Sequence, residues 1–158
     1  MLMFCAPVAV FAQKFGHLDS QALIQSLPEA IKVQSELEAQ GKIYENDLKA
    51  MQDELQRKAE EYDKTKSTMN ATKQAETEKS LNDMYNKIQQ TAQDNQQAFN
   101  KLQQEKLGPI LNKVRDAIEQ VAKSGGYVYI MEKAAGQPLY INEALSKDIT
   151  AEVKAKLK

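Results

Sequence analysis

Residues 37–62 read LEAQGKIYENDLKAMQDELQRKAEEY, and their regularly spaced apolar members are Leu37, Tyr44, Leu48, Met51, Leu55 and Tyr62. The intervals are sevens, fours and threes, so on a helix of 3.6 residues per turn these side chains line one narrow stripe. That width is a coiled-coil seam; a helix lying on a globular core shows a broader apolar face. The stripe runs on to Met69. Its helix starts at Pro28-Glu29, because proline is tolerated in a first helical turn and pushes the preceding Leu27 out of the α region. Ser26 and Glu29 also have capping-box spacing.

After a polar interval from Asp63 to Lys79 the same period returns at Leu81, Tyr85, Ile88, Ala92, Asn95, Phe99 and Leu102. Two matched stripes flanking the polar run Thr65 to Lys73 predict an antiparallel helical hairpin with its tip in that run. At about 1.5 Å of rise per residue, each arm of roughly 40 residues extends on the order of 60 Å. The Gln-rich run Gln89 to Gln104 keeps helical register through Ile88, Ala92, Phe99 and Leu102, and so reads as a solvated helix face. The polar tip, and Asn95 inside an otherwise apolar seam, predict that the arm opens most easily near its end.

Further along, the phase slips at Lys106-Leu107-Gly108-Pro109. The next apolar set, Leu107, Ile110, Leu111, Val114, Ala117, Ile118 and Val121, is wider and predicts entry into a core, with Pro109 kinking the helix at the junction. Gly125-Gly126 ends the helix, and Tyr127 to Met131 reads as a strand, with Ile130 central in the sheet. A turn through Ala134 to Pro138 leads to a second expected strand, Leu139-Tyr140-Ile141. A last helix is expected from near Ser146 or Asp148, carrying Ile149, Val153 and Leu157. At the front, Phe15-Gly16-His17-Leu18 reads as a short strand and Asp19-Ser20 as the cap of a short helix.

The fold class is therefore α+β, mainly α. Residues 13–27 and 108–158 form a small β-containing body, and 28–107 a long antiparallel helical-hairpin, coiled-coil arm. A body of about 65 residues is marginal as a single core without a disulfide or a metal, and the sequence offers neither, so oligomerisation is the remaining route.

Residues 1–12 hold no charge and are too few to span a bilayer, which takes about 20 apolar residues. They read as the remnant of a secretory signal peptide, with Val10-Phe11-Ala12 as a small-x-small cleavage site before Gln13 and the basic n-region missing upstream. Cys5, the one cysteine, lies inside that segment behind Phe4, which breaks a lipidation motif. A net charge of -1, from 21 basic and 22 acidic residues, gives no field to hold a nucleic acid.

Chemistry finds no foothold. His17, the one histidine, reads as body packing, because acid–base work needs a second positioned group in a pocket. Glu60-Glu61 lie on a solvated helix face, and Gly125-Gly126 follows a helix and precedes a strand, the reverse of a phosphate loop. No catalytic, metal or cofactor residue is assigned. Ile43 and Met84 fall beside the seam, where single exposed apolar residues are ordinary and without function; the functional alternative is that with Met69 at the tip they are the candidate client-binding residues, methionine being suited to adaptable contact.

Phe15-Gly16-His17-Leu18-Asp19, Leu23-Ile24 and Pro28-Glu29 resemble the opening of mature Skp/OmpH-family periplasmic chaperones. Leu107-Gly108-Pro109-Ile110-Leu111, Lys113-Val114, Ala117-Ile118, Val121-Ala122 and Gly126-Tyr127 resemble the family's return from arm to body, and Lys147 to Val153 its terminal helix. The resemblance implies a homotrimer with a small intersubunit β-barrel, and ATP-independent holding of unfolded outer-membrane β-barrel proteins in the periplasm. The family's better-known members carry strongly basic arm tips. Here residues 57–80 hold six basic residues against five acidic ones, so no lipopolysaccharide or anionic-membrane site is carried over. The alternative reading is a structural coiled-coil adaptor of the envelope that binds one folded partner.

Overall fold

The computed structural model describes residues 13–133, 138 and 140–157. The signal-peptide reading of 1–12, Cys5 included, the turn at 134–137 and Leu139 lie outside the described residues. The elements are β1 (Lys14–Leu18), α1 (Ser20–Gln25), α2 (Pro28–Thr65), a short 3-10 turn (Lys66–Thr68), α3 (Ala71–Gly125), β2 (Tyr127–Glu132), β3 (Ser146–Asp148) and α4 (Thr150–Lys156). The fold is α+β and mainly α, with a long helical arm and a small sheet. It divides into two units, 1–30 with 109–158, and 31–108.

In the first unit the sheet has the order β2-β1-β3, with both pairings parallel. The middle strand is β1 and β2 is an edge, which corrects the expectation that Ile130 is central. Ile130 is only half-buried, and its strand neighbours Tyr129 and Met131 are exposed. The buried apolar set is Leu18, Leu23, Leu27, Ile110, Val114, Val121, Ile149, Val153 and Leu157, with the small Ala30 and Ala117 buried among them. Ile149 and Val153 are fully enclosed.

Local chemistry explains the boundaries. Asp19 caps α1, its carboxylate accepting from the Ala22 N–H at 2.7 Å. Ser26 does not enter a capping box with Glu29: its hydroxyl turns back to the Leu23 carbonyl at 2.7 Å, closing α1. Gly126 takes a left-handed φ of 66°, which lets the chain reverse from α3 into β2. A Cβ on Gly125 would overlap the Tyr127 ring and force it to move, and a Cβ on Gly16 would meet the same ring at 3.2 Å.

Two expectations fail after residue 138. Tyr140 and Ile141 have no strand conformation, and the third strand is Ser146–Asp148. These polar residues form a strand because β1 supplies the ladder: Phe15, Gly16 and His17 pair with Ser146, Lys147 and Asp148. The last helix accordingly starts at Thr150. The Asp148 carboxylate accepts from the Thr150 N–H at 2.9 Å and hydroxyl at 2.6 Å, which makes the turn from strand to helix. Those bonds hold the Asp148 carboxyl below its ordinary range. As expected of a proline inside a helix and not at its end, Pro109 lies within α3.

In the second unit the two helices are antiparallel, and their contacts step in order toward the tip. Glu36 pairs with Lys106 at 2.8 Å. Gly41 faces Phe99, Met51 shares a cavity with Met84 and Ile88, and the Tyr62 hydroxyl donates to Glu78 at 2.6 Å. Leu37 and Ile88 are the buried apolar side chains of this unit, and the rest of the seam is half-exposed. A hairpin so thinly packed depends on helix propensity and on exposed ion pairs such as Lys49–Asp53, each worth about 0.3–0.5 kcal/mol.

Gly41→Ala should therefore stabilise the arm. A glycine inside a helix costs about 1 kcal/mol against alanine, and the new Cβ would meet Phe99 at 3.7 Å, an ordinary contact. Thermal unfolding should shift upward by about 2–4 °C; a downward shift would mean that the helices approach more closely at Gly41.

Candidate functional site

The candidate arm residues do not share one environment. Ile43 is exposed, whereas Met69 and Met84 are half-buried. The reading of Tyr85 as a seam residue and Met84 as its exposed neighbour is corrected, since Tyr85 points to solvent at 53% exposure while Met84 lines a cavity between the helices. The seam of α3 is one residue out of the expected phase at this point. Ala92 is likewise exposed and Thr91 half-buried. Tyr85 is large and apolar enough to suggest a seam position, yet its hydroxyl accepts from Gln89 at 2.6 Å on the outer face.

Met69 sits at the tip in a second cavity of about 250 Å³, with Tyr62, Thr65, Thr77 and Leu81. The tip is polar but internally bonded. Asn70 caps α3 through the Lys73 N–H at 2.8 Å, and the Gln74 amide donates to the Lys66 and Met69 carbonyls at 2.7 and 3.1 Å. Below it, the hydrogen bond to Glu78 raises the Tyr62 phenol above its ordinary pKa, because ionising it would set two negative charges together. Gln74 went unnoticed in the sequence. Its signal was its place four residues into a helix that begins just past the tip, where a long amide side chain can reach back to the carbonyls of the preceding turn.

Gln74→Ala should loosen the tip. Each lost hydrogen bond is worth about 0.5–1.5 kcal/mol, so amide exchange across 66–74 should rise about tenfold, with 110–121 unchanged. Unchanged exchange at the tip would show that these bonds do not hold it.

The body presents a different surface. β2 is an edge strand, and Val128, Tyr129 and Met131 are 47%, 64% and 46% exposed. Strand alternation puts Tyr129 and Met131 on the same sheet face as Phe15 and His17, their register partners on β1. Phe15 stacks on Tyr129, with ring centroids 6.4 Å apart and planes within 5°. Next to them an apolar cavity of about 270 Å³ is lined by Phe15, Met131, Ile141 and Leu145, and Tyr140 and Leu145 are themselves 79% and 73% exposed. A single chain thus leaves on its sheet the kind of contiguous apolar patch that marks an interaction site.

His17 is 2% exposed, and its Nδ1 lies 3.0 Å from the Ser146 hydroxyl. It ties the middle strand to β3, a packing role, and among the described residues no second acid–base side chain lies in hydrogen-bonding reach of it. Among the described residues no cluster of three or more His, Cys, Asp or Glu could hold a metal, and no helix is long and apolar enough to cross a membrane.

The sequence profile of the family described as outer membrane protein (OmpH-like) matches residues 14–157. A protein named chaperone protein Skp from Yersinia enterocolitica is 30% identical over 157 residues, which cover 99% of this chain and 93% of that protein. A second protein of that name, from Pectobacterium atrosepticum, is 29% identical over 147 residues, covering 93% and 87%. A crystal structure from Caulobacter crescentus, described as an OmpH-like outer membrane chaperone, aligns with a TM-score of 0.76 over 99% of this chain and 90% of its own. At 19% identity that likeness is one of fold. From the profile match across both units and the identity over nearly the whole length, the chain belongs to the OmpH-like family.

Proposed function

We propose that this chain is a periplasmic, ATP-independent holdase that binds unfolded outer-membrane β-barrel proteins and keeps them from aggregating. It works as a homotrimer, with residues 13–27 and 108–158 as the trimerising body and 28–107 as the arm, and it performs no chemistry and uses no cofactor. The observation that carries the reading is the arm itself: a long hairpin in an OmpH-like chain whose seam is mostly half-exposed, so that apolar side chains remain within reach of a client. Many weak apolar contacts restrain an unfolded chain without demanding one conformation of it. Ile43, Met69 and Met84 are proposed to make some of these contacts, Ile43 from the exposed face and the two methionines from the cavities they line. The exposed face of β2 supports assembly, because a partner copy would cover it.

Native mass spectrometry after diluting a denatured outer-membrane barrel protein into the trimer is expected to show one trimer per client, with or without ATP. A chain that captures one folded envelope protein and no unfolded ones would favour the adaptor reading. Export follows from the signal-like segment, and N-terminal sequencing of periplasmic material is expected to start at Gln13. Cytosolic protein retaining residues 1–12 would overturn the localisation.

A further inference from the structure

Midway along the arm, residues of α2 and α3 together line a cavity of about 410 Å³. Its apolar wall is made by Ala50, Met51, Met84 and Ile88, and its rim carries Glu54, Lys58 and Lys87. The rim is not charge-neutral. Glu54 is already held by Arg57, at 2.9 Å to Nε and 2.8 Å to a terminal nitrogen, and the guanidinium keeps its carboxyl below the ordinary range. Lys58 approaches the same carboxylate at 3.6 Å. Lys87, across the opening, pairs with no carboxylate among the described residues; Asp83, one turn before it, is taken by Lys79 at 3.0 Å. Arg57 lies behind the rim and divides itself between Glu54 and Glu61, the latter at 3.4 Å, so the rim proper sets one carboxylate against the two lysines, a local net positive charge on a chain whose overall charge is -1.

We infer that this cavity is a discrete client subsite, which takes one large apolar side chain of an extended polypeptide that carries an acidic residue close beside it. Two methionines facing each other suit the apolar part. Their thioethers are flexible and polarizable, and they adapt to an aromatic ring or a branched aliphatic chain without a fixed shape. The acidic neighbour is set by Lys87 and Lys58, which attract a carboxylate leaving the mouth and repel a basic flank. The half-buried seam is what makes the subsite available, since a tightly closed coiled coil would fill this space with its own knobs. The inference deepens the holdase reading and rests on it. It assigns a place and a chemistry to some of the weak contacts that reading requires.

The test uses the full-length chain with 13C-labelled methionine methyls and two short peptides, one with a phenylalanine flanked by aspartates and one with the same phenylalanine flanked by lysines. The aspartate peptide should shift the Met51 and Met84 methyl signals together and leave Met131 in place, and the lysine peptide should shift them weakly. Lys87→Glu, an exposed substitution that leaves the apolar wall intact, should weaken the aspartate peptide about three- to tenfold and strengthen the lysine one. A denatured outer-membrane barrel protein serves as the parallel probe. Suppression of its aggregation with Met51 and Met84 unmoved would overturn the subsite and leave the holdase standing. Loss of that suppression as well would overturn the holdase reading. Equal binding of both peptides would overturn the charge preference.

Discussion

Val153→Asp is expected to abolish folding of the sheet-containing unit. Val153 has no exposed surface and packs in the core that includes Ile149, Leu157, Val114 and Val121. A carboxylate there has no partner and no water. An uncompensated buried charge costs about 3–5 kcal/mol, and the lost apolar packing adds to it. Against the ~5–15 kcal/mol that holds a domain of ordinary size, and less for a small one, little stability is left. Hydrogen exchange should show residues 110–121 and 149–157 exchanging near the rate of an unfolded chain. Ala151→Asp, at an exposed position in the first turn of the same helix, should stay within about 0.5 kcal/mol of the parent. A folded Val153→Asp protein would mean that α4 does not close this core.

The paired substitution Tyr129→Lys with Met131→Lys is expected to separate assembly from folding. Both side chains are exposed on an edge strand of the single chain, so lysines there cost the chain itself little. In the proposed trimer the same face is covered, and two lysines from each of three copies would be buried against one another. Sedimentation should then show a monomer with its helix content intact at concentrations where the parent is a trimer. A stable trimer carrying both lysines would place the assembly surface elsewhere. This double variant is a sharper probe than Ile130→Asp, because Ile130 is half-buried within the chain and its replacement confounds folding with association.

What could be read from the residues depended on whether the signal was local. The start of α2 at Pro28, the Asp19 cap, the tip beyond Thr65 and the Gly125-Gly126 reversal are all set by side chains acting on their own backbone, and the structure places each of them. The third strand was illegible because Ser146-Lys147-Asp148 has no β-favouring residue. It is a strand only because β1, more than a hundred residues earlier, offers an open ladder. The edge position of β2 was hidden for a related reason: an apolar run such as Tyr127 to Met131 signals a strand, and its place in the sheet is decided by its partners. The phase error at Met84 and Tyr85 arose because two adjacent large side chains both fit the heptad, and the choice between them falls to the facing helix, where Met51 leaves room for the methionine. Of the candidate contacts, exposure at Ile43 was legible from its position beside the seam. The cavity between Met51 and Met84 was not, because no spacing within one helix encodes a gap between two.

The central claim is that the chain itself holds unfolded outer-membrane proteins. It is tested most directly by light scattering as several unrelated barrel proteins are diluted from urea with the purified protein present and nucleotide absent. Scattering is expected to fall toward zero for each of them at near one trimer per client. Undiminished scattering for all of them at several-fold excess of trimer would contradict it.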